Sequence, residues 1–163
     1  MIDFTLPAYM LAPRLLGCKL CFDNGVESIC LEINETEAYF GEEDTACHAH
    51  KGRTKRTEPM YERGGIAYIY LCYGMYDMLN VVSGSEGHAE AVLIRGAGKY
   101  DGPGKLTKAL GITREYNKTS FLSGDLRIKD RDHIPSYSVH PRIGIGYADE
   151  KDRNALWRFK IVK

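Results

Sequence analysis

The sequence predicts an α+β fold, a single mixed domain over residues 1–163 in which a β-sheet core is flanked by short helices. Strand-like runs come in adjacent pairs joined by hairpin signals, at Asp23-Asn24-Gly25 and at the YGMY turn of 73–76. Helical spacing is confined to short stretches, and a chain of this length buries about two thirds of its unfolded surface in one domain without staples.

Taken in order, 7–16 carries Leu11, Leu15 and Leu16 at helical spacing with Gly17 placed to stop it, which predicts a short amphipathic helix despite Pro13. Residues 18–22 and 27–34 form the arms of the first hairpin. After Tyr39 the FGEED stretch reads as a turn, with a short helical turn over 45–50 capped by Asp44. The segment GRTKRTEPMYERGG (52–65) is polar and basic and reads as an exposed loop. The second hairpin follows, IAYIYLC and DMLNVVSG around YGMY, then a strand over 89–94 that ends at Arg95. The glycine-rich GAGKYDGPGK is not a phosphate loop of the GxxxxGK[ST] kind, because Leu106 follows Lys105. It leads into a helix over 106–110, and 126–128, 142–147 (RIGIGY) and 157–162 read as short closing strands.

No apolar run approaches a membrane span and the N-terminus lacks a basic region followed by a long apolar core, so the expected location is the cytoplasm, at the nucleoid in a bacterium. Five cysteines at irregular spacing argue for reduced, buried thiols rather than a disulfide framework. A zinc set built from Cys18, Cys21, Cys30, Cys47, His48 and His50 is disfavoured, since GCKLCF reads as a strand rather than a Gly-rich turn. Formal net charge is zero, yet 23–44 holds eight acids and no base, while 51–63 holds five bases and 95–118 six. If the two basic segments share a face, the molecule has a basic footprint that the sum conceals. Tyr61, Tyr68, Tyr70, Tyr73 and Tyr76 crowd beside the basic loop, a composition suited to stacking on bases.

The candidate chemistry lies in NETEAYFGEEDTACH (34–48), where carboxylates, a tyrosine and a histidine follow directly on an alternating strand. A carboxylate on a rigid strand beside aromatic rings suits a general base, because burial raises its pKa and a nearby cation lowers it. Simple alternation puts Glu35 and Glu37 on one side, so a bend or bulge is expected if only one of them does the work.

ETEAY (35–39), the GEEDTACH run ending at His48, YIYLCYGMYDMLNVV (68–82), VLIRGA (92–97), GPGKLTKALGI (102–112) and PRIGIGYA (141–148) together resemble, block by block and in order, the alkyladenine (3-methyladenine) DNA glycosylase family. The resemblance implies a monomeric, metal-free and cofactor-free domain with a curved antiparallel sheet. Its partner would be duplex DNA, from which it would remove damaged purines such as 3-methyladenine, 7-methylguanine, hypoxanthine and ethenoadenine in base excision repair, without a lyase step. It assigns Glu37 as general base and Arg95 as the residue that helps hold Glu37 and its water. Tyr39, His48 and Tyr70 become pocket walls, and Asn80 the group that excludes guanine's amino substituent through an amide donor. Tyr73 becomes the wedge into the duplex with Met75 beside it, and the Ile143 backbone part of the water site. Arg53, Arg56, Gly104 and Lys105 would contact the DNA backbone. Two departures are visible: only GAGKYD stands after Arg95 where relatives carry a longer helical excursion, and the basic loop reads RTKRTEP where relatives often read RTPRN. Competing readings are a non-catalytic lesion or nucleic-acid-binding module and a small-molecule nucleoside hydrolase.

Overall fold

In the computed structural model, which describes residues 1–163, the chain begins with α1 (Ala8–Leu15), whose Ala8, Leu11, Ala12 and Leu15 are fully buried against the sheet. Gly17, at φ +87°, turns the chain out of the helix in a conformation that disfavours any side chain. β1 (Lys19–Asp23) and the thirteen-residue β2 (Ser28–Phe40) then form the first hairpin. β3 (Ala67–Cys72) and β4 (Tyr76–Val82) form the second, followed by β5 (Glu90–Ala97), β6 (Tyr100–Asp101) and α2 (Pro103–Leu110). β7 (Leu126–Lys129), β8 (Tyr137–His140), α3 (Glu150–Asn154) and β9 (Arg158–Ile161) complete the chain.

All strand pairs are antiparallel, in the order β3-β4-β5-β2-β1-β7, with β6 on β5, β9 on β2 and β8 on β9, and the sheet curls strongly into a half-barrel. β2 is its spine. One edge pairs with β1 over 28–32 and then with β9 over 35–37, while the other edge runs along β5. α1 crosses this spine, and Thr36 Oγ1 donates to the Ala12 carbonyl at 2.9 Å. Val81, Val92, Ile94 and Leu106 fill the same core.

Several expectations change. Cys21 and Cys30 lie opposite each other in the β1–β2 register and are joined as a disulfide, so reduced thiols remain only at Cys18, Cys47 and Cys72. The pairing follows from the hairpin register, which spacing along the chain does not display. RIGIGY is not a strand but an irregular loop, because its buried Arg142 bonds side chains and carbonyls rather than a ladder. β8, within SYSVH, had no expected counterpart, and the strand before Arg95 runs on to Ala97. The basic loop contains a turn of 3-10 helix over Glu58–Tyr61 that buries Pro59, Met60 and Tyr61. The helical turn begins at His48 rather than Thr45; Asp44 does cap the turn leading into it, accepting the Ala46 N–H at 3.1 Å, while its carboxylate is buried on Arg142. No three His, Cys, Asp or Glu residues cluster closely enough to hold a metal ion, and no helix is long and apolar enough to cross a membrane.

The N-terminus of α1 has no side-chain cap of its own, and the buried Glu90 of β5 supplies one: Oε1 accepts from Ala8 N at 2.7 Å. Its Oε2 pairs with His88 Nδ1 at 2.7 Å, and His88 Nε2 pairs with Glu43 at 2.7 Å. Burial alone would depress the His88 pKa, but hydrogen bonds and charge from Glu90 and Glu43 outweigh it and raise the value above 6.5. Stability from this pairing is therefore complete below the unfolded value and lost as pH rises through the raised folded one. His88→Gln should lower the Tm at pH 6 and leave it near wild type at pH 9 in thermal melts; an equal loss at both would disprove the linkage.

Candidate active site

The ladder between β2 and β5 is irregular at Glu35, where the pairing steps from Ile33↔Ala97 to Glu35↔Gly96 and back to Thr36↔Ile94. Alternation survives it. Thr36 faces α1, whereas Glu35 and Glu37 both face Arg95, so the expected irregularity exists without separating the two glutamates. Their partners separate them instead. Glu35 is held by Arg158 at 2.8 Å, with Arg95 Nε at a looser 3.9 Å.

Glu37 is fully buried and receives donors from three parts of the chain. Its Oε1 accepts from Tyr39 Oη at 2.9 Å and lies 3.4 Å from Arg95 Nη1, and its Oε2 accepts from the Ile143 backbone N–H at 2.6 Å. Burial raises the Glu37 pKa above the ordinary carboxylate value; Arg95, the Ile143 N–H and the Tyr39 hydroxyl offset this only in part. Tyr39 and Arg95 donate to Oε1, and the Ile143 N–H is the one donor to Oε2, which leaves Oε2 with a free lone pair.

Above Glu37 lies a cavity of about 540 Å³. Its walls include Tyr39, His48, Tyr68, Tyr70, Asn80, Arg95 and the 143–145 loop, with Arg56, Tyr73 and Tyr147 also contributing. Glu37 is not itself in the wall; Tyr39, Arg95 and Ile143, the residues that grip it, are. His48 and Tyr70 meet edge to face with centroids 4.4 Å apart, and His48 Nδ1 sits 3.2 Å from Tyr68 Oη. Burial, assisted by Arg56, pulls the His48 pKa down to about 4, and burial pushes Tyr68 up to about 12 and raises the Tyr39 and Tyr70 phenols well above the ordinary tyrosine value. The aromatic walls are therefore uncharged near neutral pH.

Tyr68 was not among the expected wall residues, although its two-residue offset from Tyr70 on one strand signals a shared face. Arg142 was missed altogether. Its buried guanidinium forks onto Asp44 at 2.6 and 3.0 Å and lies 5.0 Å from the Tyr39 ring centroid. Asn80 lines the cavity as expected, but its amide nitrogen donates to the Tyr68 and Met78 carbonyls at 3.1 and 3.2 Å. The expected free donor is therefore spent, and the amide is a rigid wall.

The β3–β4 turn presents Tyr73 at 88% and Met75 at 70% exposure. Tyr73 has φ +51° and Gly74 φ +66°, so a bulky side chain is held in the left-handed region, a strain of about 1–3 kcal/mol concentrated at functional positions. Of the expected backbone contacts, Arg53 is occupied by a two-point pair with Glu58 at 2.7 and 2.6 Å, and Arg56 lies 5.2 Å from the Tyr70 ring centroid at the cavity. Gly104 packs so closely on Tyr76 that a Cβ would come within 2.7 Å of its ring, and the exposed Lys105 follows in the first turn of α2.

Comparison with known proteins gives one consistent result. The family model for methylpurine-DNA glycosylase matches residues 3–100 and 97–163. A DNA-3-methyladenine glycosylase from Arabidopsis thaliana is 39% identical over 98% of this chain and 69% of its own length. Relatives from Myxococcus xanthus and Wolbachia pipientis, provisionally designated 3-methyladenine DNA glycosylases, are each 42% identical, over 89% and 98% of this chain and 80% and 89% of their own.

Because the folded Glu37 pKa is raised, its charge opposes folding above that value and ceases to do so as pH falls through it. Glu37→Gln should therefore melt at a higher temperature than wild type at pH 8, with the difference closing by pH 4. A variant less stable at pH 8 would mean that the three donors outweigh burial.

Proposed function

The chain belongs to the methylpurine-DNA glycosylase family, and from that premise we propose that it excises alkylated or deaminated purines from duplex DNA by hydrolysis of the N-glycosidic bond, with Glu37 as general base. The observation that carries the reading is a fully buried carboxylate, raised in pKa yet gripped from three directions, beneath an aromatic-lined cavity of about 540 Å³.

A stacked base is out of reach, so the nucleotide must rotate out of the helix while a side chain offsets part of the unstacking cost. Tyr73, exposed and held in a strained turn, is the proposed wedge, with Met75 next to it. The flipped purine would lie against Tyr39, His48 and Tyr70, and because His48 and Tyr70 already touch, with centroids 4.4 Å apart, these two rings must part for a base to stand between them. A cationic methylpurine gains from their electron-rich faces, and the neutral His48 adds no repulsion. Asn80, immobilised by two carbonyls, rejects guanine through steric conflict with its amino group.

As the bond from the sugar to the purine breaks, its electron pair leaves with the base and the sugar becomes oxocarbenium-like. Water adds at the anomeric carbon while the Oε2 lone pair of Glu37 takes its proton, and Arg95 keeps the carboxylate in place. No amine nucleophile is needed, which fits a hydrolase without a lyase step. Arg56 and Lys105 are the proposed backbone contacts, and the pairing of Arg53 with Glu58 makes its contribution small.

Duplexes carrying hypoxanthine, ethenoadenine or 7-methylguanine, incubated with the protein and treated with alkali, should break at the lesion; intact strands across the panel would refute the proposal. Glu37→Gln should bind these duplexes and lose about 10²–10⁴ in single-turnover rate. The acid limb of the wild-type rate profile should lie above the ordinary glutamate pKa of 4.5. Tyr73→Gly should keep or raise the Tm by relieving strain, while reducing excision from duplex far more than from single strands.

A further inference from the structure

Arg142 has no part in the mechanism above, yet its two terminal nitrogens make four hydrogen bonds, with its buried Nε alone left without a partner. Its Nη1 donates to the Ala38 carbonyl at 2.9 Å and to Asp44 Oδ2 at 2.6 Å, and its Nη2 donates to Asp44 Oδ1 at 3.0 Å and to the Asp152 carbonyl at 3.2 Å. The guanidinium thus ties together β2, the turn after it and α3. Both charged side chains are buried, at 0% and 1% exposure. A buried ion pair of this kind is weak evidence of stabilisation, because apolar residues of similar volume often serve the fold as well. Its placement is the informative feature. Arg142 grips the carbonyl of Ala38, and the next residue, Ile143, presents its N–H to the carboxylate of Glu37, the residue before Ala38. Two adjacent residues of an otherwise irregular loop are pinned on two adjacent residues of the spine strand.

Asp44 extends the clamp into the cavity wall. Besides Arg142 it accepts from the backbone of Phe40 at 3.0 Å and Ala46 at 3.1 Å, and the Ala46 carbonyl accepts from Tyr147 Oη at 2.7 Å. Resting on the reading of Glu37 as base, we propose that Arg142, locked by Asp44, is a positioning residue that holds the Ile143 N–H on Glu37 Oε2 and so fixes the direction in which that carboxylate addresses water.

The groups facing Glu37 are Arg95 from β5, Tyr39 and Glu35 from β2, Arg158 from β9, Tyr70 from β3, and Arg142, the Ile143 N–H and Tyr147 from the 142–147 loop. Removing Arg142 leaves the others in place, deletes one cation and frees the amide. Both changes disfavour the ionised carboxylate. A support of the fold alone would move neither the pH profile nor the split between binding and chemistry.

The test compares Arg142→Met, Arg142→Lys and the apolar replacement of the whole pair, Asp44→Leu with Arg142→Met, against wild type. Each is assayed for single-turnover excision from a lesion duplex between pH 4.5 and 9, and for duplex affinity. Wild-type activity tests the reading of Glu37 and the proposed reaction; the variants test the clamp. In Arg142→Met and in the double variant the maximal rate should fall at least tenfold with duplex Kd within threefold, and the acid limb should move to higher pH. Arg142→Lys, which keeps the charge without the fork, should return the limb towards wild type with the rate still reduced. In amide NMR spectra, the Ile143 resonance should titrate with Glu37 in wild type and cease to do so in the double variant. Folded variants with a wild-type pH profile and rate overturn the proposal, as does failure of both Met-bearing proteins to fold, which would assign the pair to the fold alone.

Discussion

The buried carboxylate of Glu37 is the constraint that the surrounding structure answers. Taking a carboxylate out of water costs several kcal/mol even after relaxation, so such a group persists only where donors meet it. Three donors converge here from β2, β5 and the loop before α3, and of them only Tyr39 is close to Glu37 in sequence. The compensation is incomplete, since burial still dominates and the pKa stays raised. An ionised group short of full solvation is a stronger base than one in water, which is what proton abstraction from a neutral water requires.

Convergence depends on β2 exchanging partners. Had β1 continued along the whole edge, β9 could not reach residues 35–37, and Arg158 would have no route to Glu35. With Glu35 occupied by Arg158, Arg95 is drawn nearer to Glu37, and one of two equivalent strand glutamates becomes structural while its neighbour stays available. The curl of the sheet follows from the same exchange, because a strand that pairs with different neighbours at its two ends must coil between them.

Local signals made much of this legible. Asn24-Gly25 and the turn at 73–76 mark their hairpins through turn chemistry, and the period-two runs between them find their strands. The same period indicates that Glu35 and Glu37 share a face, and the irregularity at Glu35 leaves them there, separated by their partners rather than by a bend. What escaped were pairings between distant segments. Asp44 looks like one more acid in a solvated GEED turn, and only its partner 98 positions away shows that it is buried. RIGIGY has a strand's alternation, yet Gly144 and Gly146 offer nothing to pack on one face, and Arg142 draws the segment inward. Cys21 and Cys30 are nine residues apart, and their juxtaposition depends on where the hairpin register falls.

The neutrality of the aromatic rings in the cavity wall completes the physical case for the proposed reaction. A cationic purine is attracted by π-faces whether it is still attached or departing, so the sandwich alone binds without accelerating. Acceleration needs a charge placed where positive charge arrives, and during cleavage it migrates from the purine to the sugar. The Glu37 carboxylate lies under the wall rather than in it, and His48 and the tyrosines offer no competing charge on the base side. Uncharged aromatic rings on the base side and an offset carboxylate on the sugar side therefore favour the charge distribution of the transition state over that of the bound substrate, and the fixed donors around Glu37 mean that little reorganisation is required when that charge appears.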